Sequence, residues 1–201
     1  MSVTIGIVVF DDAEELDAIG PWEVFTGSRM LQEHEGAEPD TVVTIAEREG
    51  PIRMGKGLRM LADHTFTDHP PLDVVLVPGG FGTRREVDNE ALLEWLRTVH
   101  AGATWTTSVC TGSLLLFASG VAKDRRLATH WAFEDAFAER GADVVCDARW
   151  VRDGDVVSSQ GVSAGIDMAL WLVGQLHGVD HARRTQRYIQ YEPAPPYQAD
   201  V

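Results

Sequence analysis

Cys110 is the residue whose type and setting most directly suggest chemistry. It lies in Trp105-Thr106-Thr107-Ser108-Val109-Cys110-Thr111-Gly112-Ser113-Leu114-Leu115-Leu116-Phe117, a β-favouring run that breaks at small residues and resumes as an apolar helix start. β-Branched and aromatic side chains pack well on a pleated surface, so residues 104–109 are expected as a strand. A strand that turns straight into a helix holds the turn residue in a tight backbone, its side chain over the sheet edge. That is the geometry of a nucleophile elbow. A thiol there meets unpaired backbone N–H groups and the helix dipole, which favour the thiolate. The local residues leave two readings open: a nucleophile, or a buried and inert cysteine, the commoner fate of a free thiol in a core.

Two other stretches carry polar groups in suggestive places. In Glu14-Glu15-Leu16-Asp17-Ala18-Ile19-Gly20-Pro21, Pro21 suits the first turn of a helix running to about Leu31, where its missing N–H is not needed. Asp17 is then expected between a strand and that helix, just past the strand's carboxyl end, where α/β proteins place functional groups. Taken alone, Asp17 reads more simply as a solvated carboxylate or a local cap. Pro78-Gly79-Gly80-Phe81-Gly82 is a glycine-rich loop whose N–H groups can approach a ligand closely. Gly80-x-Gly82-x-x-Arg85 lacks the third glycine of a dinucleotide fingerprint, and many such strand-to-helix turns bind nothing.

The elements that must position these residues follow from hydrophobic patterning. Val3 to Phe10 is nearly all apolar, as is Val74 to Val77, which marks strands buried on both faces of a parallel sheet. Thr41 to Ala46 reads as a second strand, and Gly50 to Leu61 as a small β-hairpin excursion turning at Gly55-Lys56-Gly57. Asn89 to His100 is amphipathic, with Leu92, Leu93, Leu96 and Val99 on one helix face. Gly120 is the expected C-cap of the helix after Cys110. Leu127 to Thr129 suggests a short strand, and His130 to Arg140 a helix closed by Gly141. Residues 144–146, 150–151 and 156–157 read as edge strands, with Asp153-Gly154 a hairpin signal. Cys146 is expected to pack within that sheet. Gly161 to Leu176 and Asp180 to Tyr191 read as the last two helices, before an extended tail from Glu192 to Tyr197. Strands alternating with helices imply one α/β domain over residues 1–201, an open, mostly parallel sheet with helices on both faces.

Composition narrows the function classes. With 44% hydrophobic and 24% charged residues the chain is an ordinary globular one, not disordered. A net charge of −14, with only two lysines, argues against a nucleic-acid partner, since phosphate binding needs clustered cations. No apolar run approaches a membrane span, and the N-terminus enters a strand pattern without a basic region and cleavage site, so a cytoplasmic protein is the default expectation. The two cysteines lack CxxC spacing and the seven histidines show no HExxH, so neither a redox pair nor a metal site is expected.

With these pieces placed, the chain resembles the ThiJ/PfpI superfamily, and within it the isonitrile hydratases. The resemblance rests on Leu16-Asp17-x-x-Gly20-Pro21, Val77-Pro78-Gly79-Gly80, Ser108-Val109-Cys110-Thr111-Gly112-Ser113, Ala128-Thr129-His130-Trp131, Val151-Arg152-Asp153-Gly154, Ala164-Gly165-Ile166-Asp167 and Tyr191-x-Pro193-Ala194-Pro195-Pro196. It implies a flavodoxin-like sheet of the kind seen in class I glutamine amidotransferases. Cys110 becomes the nucleophile and Asp17 its acid/base partner, with the backbone N–H groups of Gly80 and Thr111 facing developing negative charge. The pocket is then expected among Gly79, His130, Trp131 and Ile166, with Trp22 and Phe81 as further candidates and His130 acting as packing or outer support. Thr111 departs from the protease-like branch, where a histidine follows the cysteine, which lowers the expectation of peptidase activity.

The activity implied is cofactor-free and metal-free hydration of an isonitrile. Cys110 attacks the terminal carbon while the Asp17 acid protonates it, giving a covalent thioimidate. Water activated by Asp17 then releases an N-substituted formamide. The resemblance also implies a homodimer. It is shared with glyoxalase- or deglycase-like enzymes and with the sensor halves of AraC-type regulators, so an α-oxoaldehyde activity, a cysteine-based redox sensor and a small-molecule sensor are the competing readings. A complete transcription factor is not expected, because no helix-turn-helix accompanies the motif set.

Overall fold

In the computed structural model, which describes residues 2–195, the hydrophobic runs become β1 (Thr4–Val8), α1 (Glu15–His34), β2 (Thr41–Ala46), the hairpin β3 (Pro51–Arg53) and β4 (Arg59–Leu61), β5 (His64–Thr65), β6 (Val74–Val77), α2 (Thr83–Glu86) and α3 (Glu90–His100). The chain continues through β7 (Trp105–Val109), α4 (Gly112–Ala118), β8 (Arg126–Leu127), a 3₁₀ turn over Trp131–Phe133, α5 (Glu134–Ala138), β9 (Asp143–Val144), β10 (Trp150–Asp153), β11 (Val156–Ser159), α6 (Ala164–His177) and α7 (Val179–Tyr188). Seven strands form one sheet in the order β10-β11-β7-β6-β1-β2-β5, all parallel except the edge strand β10. The expected mostly parallel α/β sheet is the one found.

Five of these strands, β2-β1-β6-β7-β11, have the 2-1-3-4-5 order of flavodoxin-like sheets. The chain steps from β1 outward to β2, then returns to the other side of β1 and proceeds away through β6, β7 and β11. Right-handed crossovers in opposite directions place helices on opposite faces. Accordingly α1, α6 and α7 pack with one another, while α3 and α4 pack together beneath β6 and β7. Between them the strands are dry: Ile5, Ile7, Val8 and all of Val74–Val77 are buried. The reversal of strand order opens a crevice beyond the carboxyl ends of the parallel strands β1 and β6, the place where such sheets bind ligands. Asp17 follows β1, Gly79 and Gly80 follow β6, and Cys110 follows the neighbouring β7.

Several expectations are corrected. α1 begins at Glu15, so Pro21 lies inside it and Asp17 lies in its first turn, not in a connecting segment. The helix starts early because the Glu14 N–H is held by the Gly79 carbonyl at 2.9 Å, a tertiary bond that a local pattern does not show. β11 is an interior strand, buried along its whole length between β7 and β10. Its serines tolerate burial because they are bonded: Ser158 Oγ accepts the Ala128 N–H at 2.8 Å. β9 pairs with β8 in a separate two-stranded sheet, and Cys146 lies beyond it, exposed, not packed in a sheet. The segment expected as a helix from His130 is only a 3₁₀ turn and the five residues of α5, and the last helix stops at Tyr188. Residues 192–195 of the tail have no regular structure; Pro196 and Tyr197 lie outside the described residues.

Candidate active site

Cys110 occupies the turn between β7 and α4 with φ of +57°, left-handed backbone that a side-chain-bearing residue rarely adopts. The surrounding bonds over-determine this strained position, as such positions require. The Cys110 N–H lies 3.2 Å from the carbonyls of both Ser159 and Gln160. Its carbonyl accepts from the hydroxyls of Ser113 and Thr129, each at 3.1 Å. The elbow read from the sequence is therefore present, and Cys110 is 6% exposed.

Asp17 meets it from α1. The carboxyl is wholly buried, and its Oδ2 accepts the Gly79 N–H at 2.9 Å. Its Oδ1 has no hydrogen-bond partner among the described residues. The thiol lies close enough to pull the carboxyl's pKa down, yet burial dominates and raises Asp17 to about 7. Burial, with the charge of Asp17 behind it, likewise pushes Cys110 up to about 12. The N–H groups of Thr111 and Gly80 act on the sulfur in the opposite sense, as does the Thr111 hydroxyl. They do not win, so the thiolate expected from a helix N-terminus is not the resting form. A seven-residue helix carries little dipole, and even a full one is worth only about 0.3–1 kcal/mol at a surface. Desolvation of a nearly enclosed thiol is larger.

The glycine-rich loop fits against this pair. Gly80 has φ of +110°, and a Cβ there would collide with the backbone of Asp12 and Glu14. Its N–H donates to Thr111 Oγ1 at 3.0 Å. The Thr83 hydroxyl is 2.8 Å from the Gly80 carbonyl and 3.2 Å from Thr111 Oγ1, so the loop and the elbow are cross-tied. Gly79 leaves no room for a side chain: a Cβ would lie 2.5 Å from the Thr111 nitrogen and 2.9 Å from the Cys110 Cβ. Its part is thus close approach to the elbow and a donor for Asp17, and it does not line the cavity.

That cavity, about 280 Å³, is lined by Glu14, Gly80, Phe81, Arg84, Cys110, Thr111, His130, Ala132, Phe133 and Val162. Larger clefts of about 460 and 410 Å³ exist beside Glu86 and Trp22, but no cysteine lines either. His130 is in the wall. Its Nδ1 accepts the Ala132 N–H at 3.2 Å, and burial lowers its pKa, so it is a neutral imidazole protonated on Nε2. Phe81 is also in the wall. Three other expected pocket residues are not. Trp131 is 73% exposed and is not part of the cavity wall. Ile166 packs between α6 and α1, where a Cβ on Gly20 would sit 3.0 Å from its Cγ1. Trp22 lines the 410 Å³ cleft with Leu61.

Sequence reasoning missed Glu14, Arg84, Phe133 and Val162. Arg84 had a readable signal, standing two residues after the loop glycine Gly82. Val162 did not, because its φ of +53° is set by the turn into α6. No group of three or more His, Cys, Asp or Glu side chains is arranged for a metal ion among the described residues.

Comparison with known proteins gives a consistent picture. The DJ-1/PfpI family matches over residues 3–175. An isonitrile hydratase of Pseudomonas putida is 39% identical over 198 residues, covering 98% of this chain and 82% of that one. The HTH-type transcriptional regulator CdhR of Pseudomonas aeruginosa is 32% identical over 130 residues, 64% of this chain but only 38% of the regulator. A solved THiJ/PfpI family protein of Pseudomonas syringae superposes with a TM-score of 0.89 at 30% identity, covering all of this chain and 80% of that one. A cysteine on a strained elbow, a glycine loop pressed against it and a match through most of the sheet lead to one assignment: the chain belongs to the DJ-1/PfpI family.

Proposed function

We propose that the protein hydrates isonitriles to N-substituted formamides by cysteine catalysis. The observation that carries this reading is the buried pair, Cys110 in the cavity wall and Asp17 behind it in the first turn of α1, both with pKa values pushed upward. Between pH 7 and 12 the pair holds a single proton, mostly on sulfur. Addition to R–N≡C requires that proton to end on carbon. Asp17 takes it from the thiol, the sulfur attacks the terminal carbon, and the carboxylic acid delivers it to the same carbon. The product is the thioimidate R–N=CH–S–Cys110. The ionised carboxylate then takes a proton from water as the oxygen adds to that carbon, and the proton passes to nitrogen. Collapse of R–NH–CH(OH)–S–Cys110 returns the hydroxyl proton to sulfur through Asp17 and releases R–NH–CHO. The likeness to the Pseudomonas putida isonitrile hydratase along nearly the whole chain supports the same choice.

The test is formamide production from a simple alkyl isonitrile, followed by NMR. Wild-type protein is expected to turn over, Cys110→Ala to lose all activity, and Asp17→Asn to lose at least about 100-fold, the usual scale for a positioned proton carrier. Full turnover by Cys110→Ala rules the mechanism out. Conversion of an α-oxoaldehyde with no formamide from any isonitrile replaces the reading with a glyoxalase-like one. A redox-sensor role is disfavoured by the same burial, since oxidation follows thiolate character and exposure.

We infer a second copy of this chain as the partner. The reading is supported by the family resemblance and by apolar side chains left exposed on α1 and the β3–β4 hairpin, Leu16, Trp22, Leu58 and Leu61.

A further inference from the structure

We propose that the cavity is built for an isonitrile bearing an anionic substituent, a carboxylate above all, with Arg84 as the residue that selects it. The inference rests on the hydration reading above and names its substrate class. Arg84 lies in the cavity wall with Cys110. Its guanidinium carbon is 5.2 Å from the Phe81 ring centre and 5.3 Å from that of Phe133, so the two rings hold the cation. Only Nη1 is committed, to the Gly80 carbonyl at 3.0 Å and Thr83 Oγ1 at 3.3 Å. Among the described residues no carboxylate lies within ion-pair distance of Arg84.

Of the 15 arginines in this chain of net charge −14, five (Arg53, Arg59, Arg84, Arg140 and Arg152) have no carboxylate at ion-pair distance among the described residues, and Arg84 is the one of these in the wall with Cys110. The other ten are paired with carboxylates among the described residues. The other charged side chain in the cavity wall, Glu14, is not free to neutralise Arg84, because it is paired with Lys56 Nζ. Arg84 also acts on the neighbouring His130 more strongly than Glu14 does. Beyond the negative charge shared by Asp17 and Cys110, the cavity wall thus carries one positive charge with no ion-pair partner among the described residues, on a planar fork with donors to spare, the geometry that binds a carboxylate in two-point fashion.

The experiment compares ω-isocyano carboxylates of increasing chain length with their methyl esters, in wild-type protein and in Arg84→Gln and Arg84→Lys. The measured quantity is the ratio of kcat/KM for acid over ester. For the best-fitting length the wild-type ratio is expected to reach about 10- to 100-fold, the range for hydrogen bonds to a charged group. It should fall to about one in Arg84→Gln and keep an intermediate value in Arg84→Lys, which retains charge but not the fork. A merely disturbed loop would slow acid and ester together and leave the ratio unmoved. A wild-type ratio near one at every length, or an unchanged ratio in Arg84→Gln, overturns the proposal while hydration stands. If no isonitrile is turned over, the hydration reading falls and calorimetry decides the rest. N-formyl amino acids should then bind more tightly than their amides, and only with Arg84 present; equal binding of both overturns the anion site.

Discussion

At the residue scale, the site is governed by how completely its two ionisable groups are withdrawn from water. Asp17 stands in the first turn of α1, where the helix dipole and the Gly79 N–H both favour a carboxylate, yet burial outweighs them. The consequence for catalysis is a specific pH profile. Below about 7 the pair gains a second proton and the carboxyl cannot accept the proton of the thiol. For a neutral isonitrile, kcat/KM is expected to rise about tenfold per pH unit up to pH 7 and then level off. The two values belong to the pair and not to either residue alone. A stopped assay from pH 5 to 9 checks this; a profile falling through pH 7 would instead require Asp17 to be protonated in the resting enzyme. Stability carries the same signature. A carboxyl whose pKa is raised on folding contributes stability below its unfolded value and loses it as pH rises through the folded one. Between about pH 4 and 7 wild-type protein should therefore lose stability relative to Asp17→Asn, by an upper limit on the order of 4 kcal/mol, and the difference should be flat above pH 7. Urea unfolding of the two proteins at pH 5 and 8 measures it.

At the element scale, three strand ends and one helix start converge, and the fit leaves no slack. Gly79 is among the tight points, its N–H given to Asp17 and its Cα pressed against the elbow. Gly79→Ala places a methyl group against the Thr111 backbone and the Cys110 Cβ. It is expected to cost about 1–3 kcal/mol in stability, the usual penalty for overpacking. Activity should suffer more, by about 100-fold, because a displacement of the elbow by an ångström spoils the alignment of sulfur and carboxyl. Denaturant melts and kinetics on the same preparation separate the two effects. Thr111→Val tests the cross-tie differently. It removes the acceptor for the Gly80 N–H and for Thr83, and should lower kcat with little change in the denaturation midpoint.

At the scale of the whole molecule, the sheet acts as a rigid frame that brings residue 17 to residue 110. No helix of the described residues is long and apolar enough to cross a membrane. The proposed dimer predicts that sedimentation at micromolar concentration gives twice the 22.1 kDa chain mass. Trp22→Glu, on the exposed face of α1, should shift the protein toward monomer; a persistent wild-type monomer would sink the proposal.

The pattern of apolar runs, turn glycines and amphipathic helices was enough to determine the parallel sheet, the elbow at Cys110 and the loop at Gly79-Gly80. Each is a local matter: period, propensity and punctuation lie within a few residues of one another. The tertiary structure decided the rest. It started α1 at Glu15, because the bond that anchors it comes from Gly79. It made β11 an interior strand, because its neighbours are β7 and β10. It filled the cavity wall with Arg84 and Phe133 and left Trp131 and Ile166 outside. Above all it decided the protonation of Asp17 and Cys110, since the field at an ionisable group is summed over everything that excludes water from it, and a sequence lists neighbours along the chain but not across space.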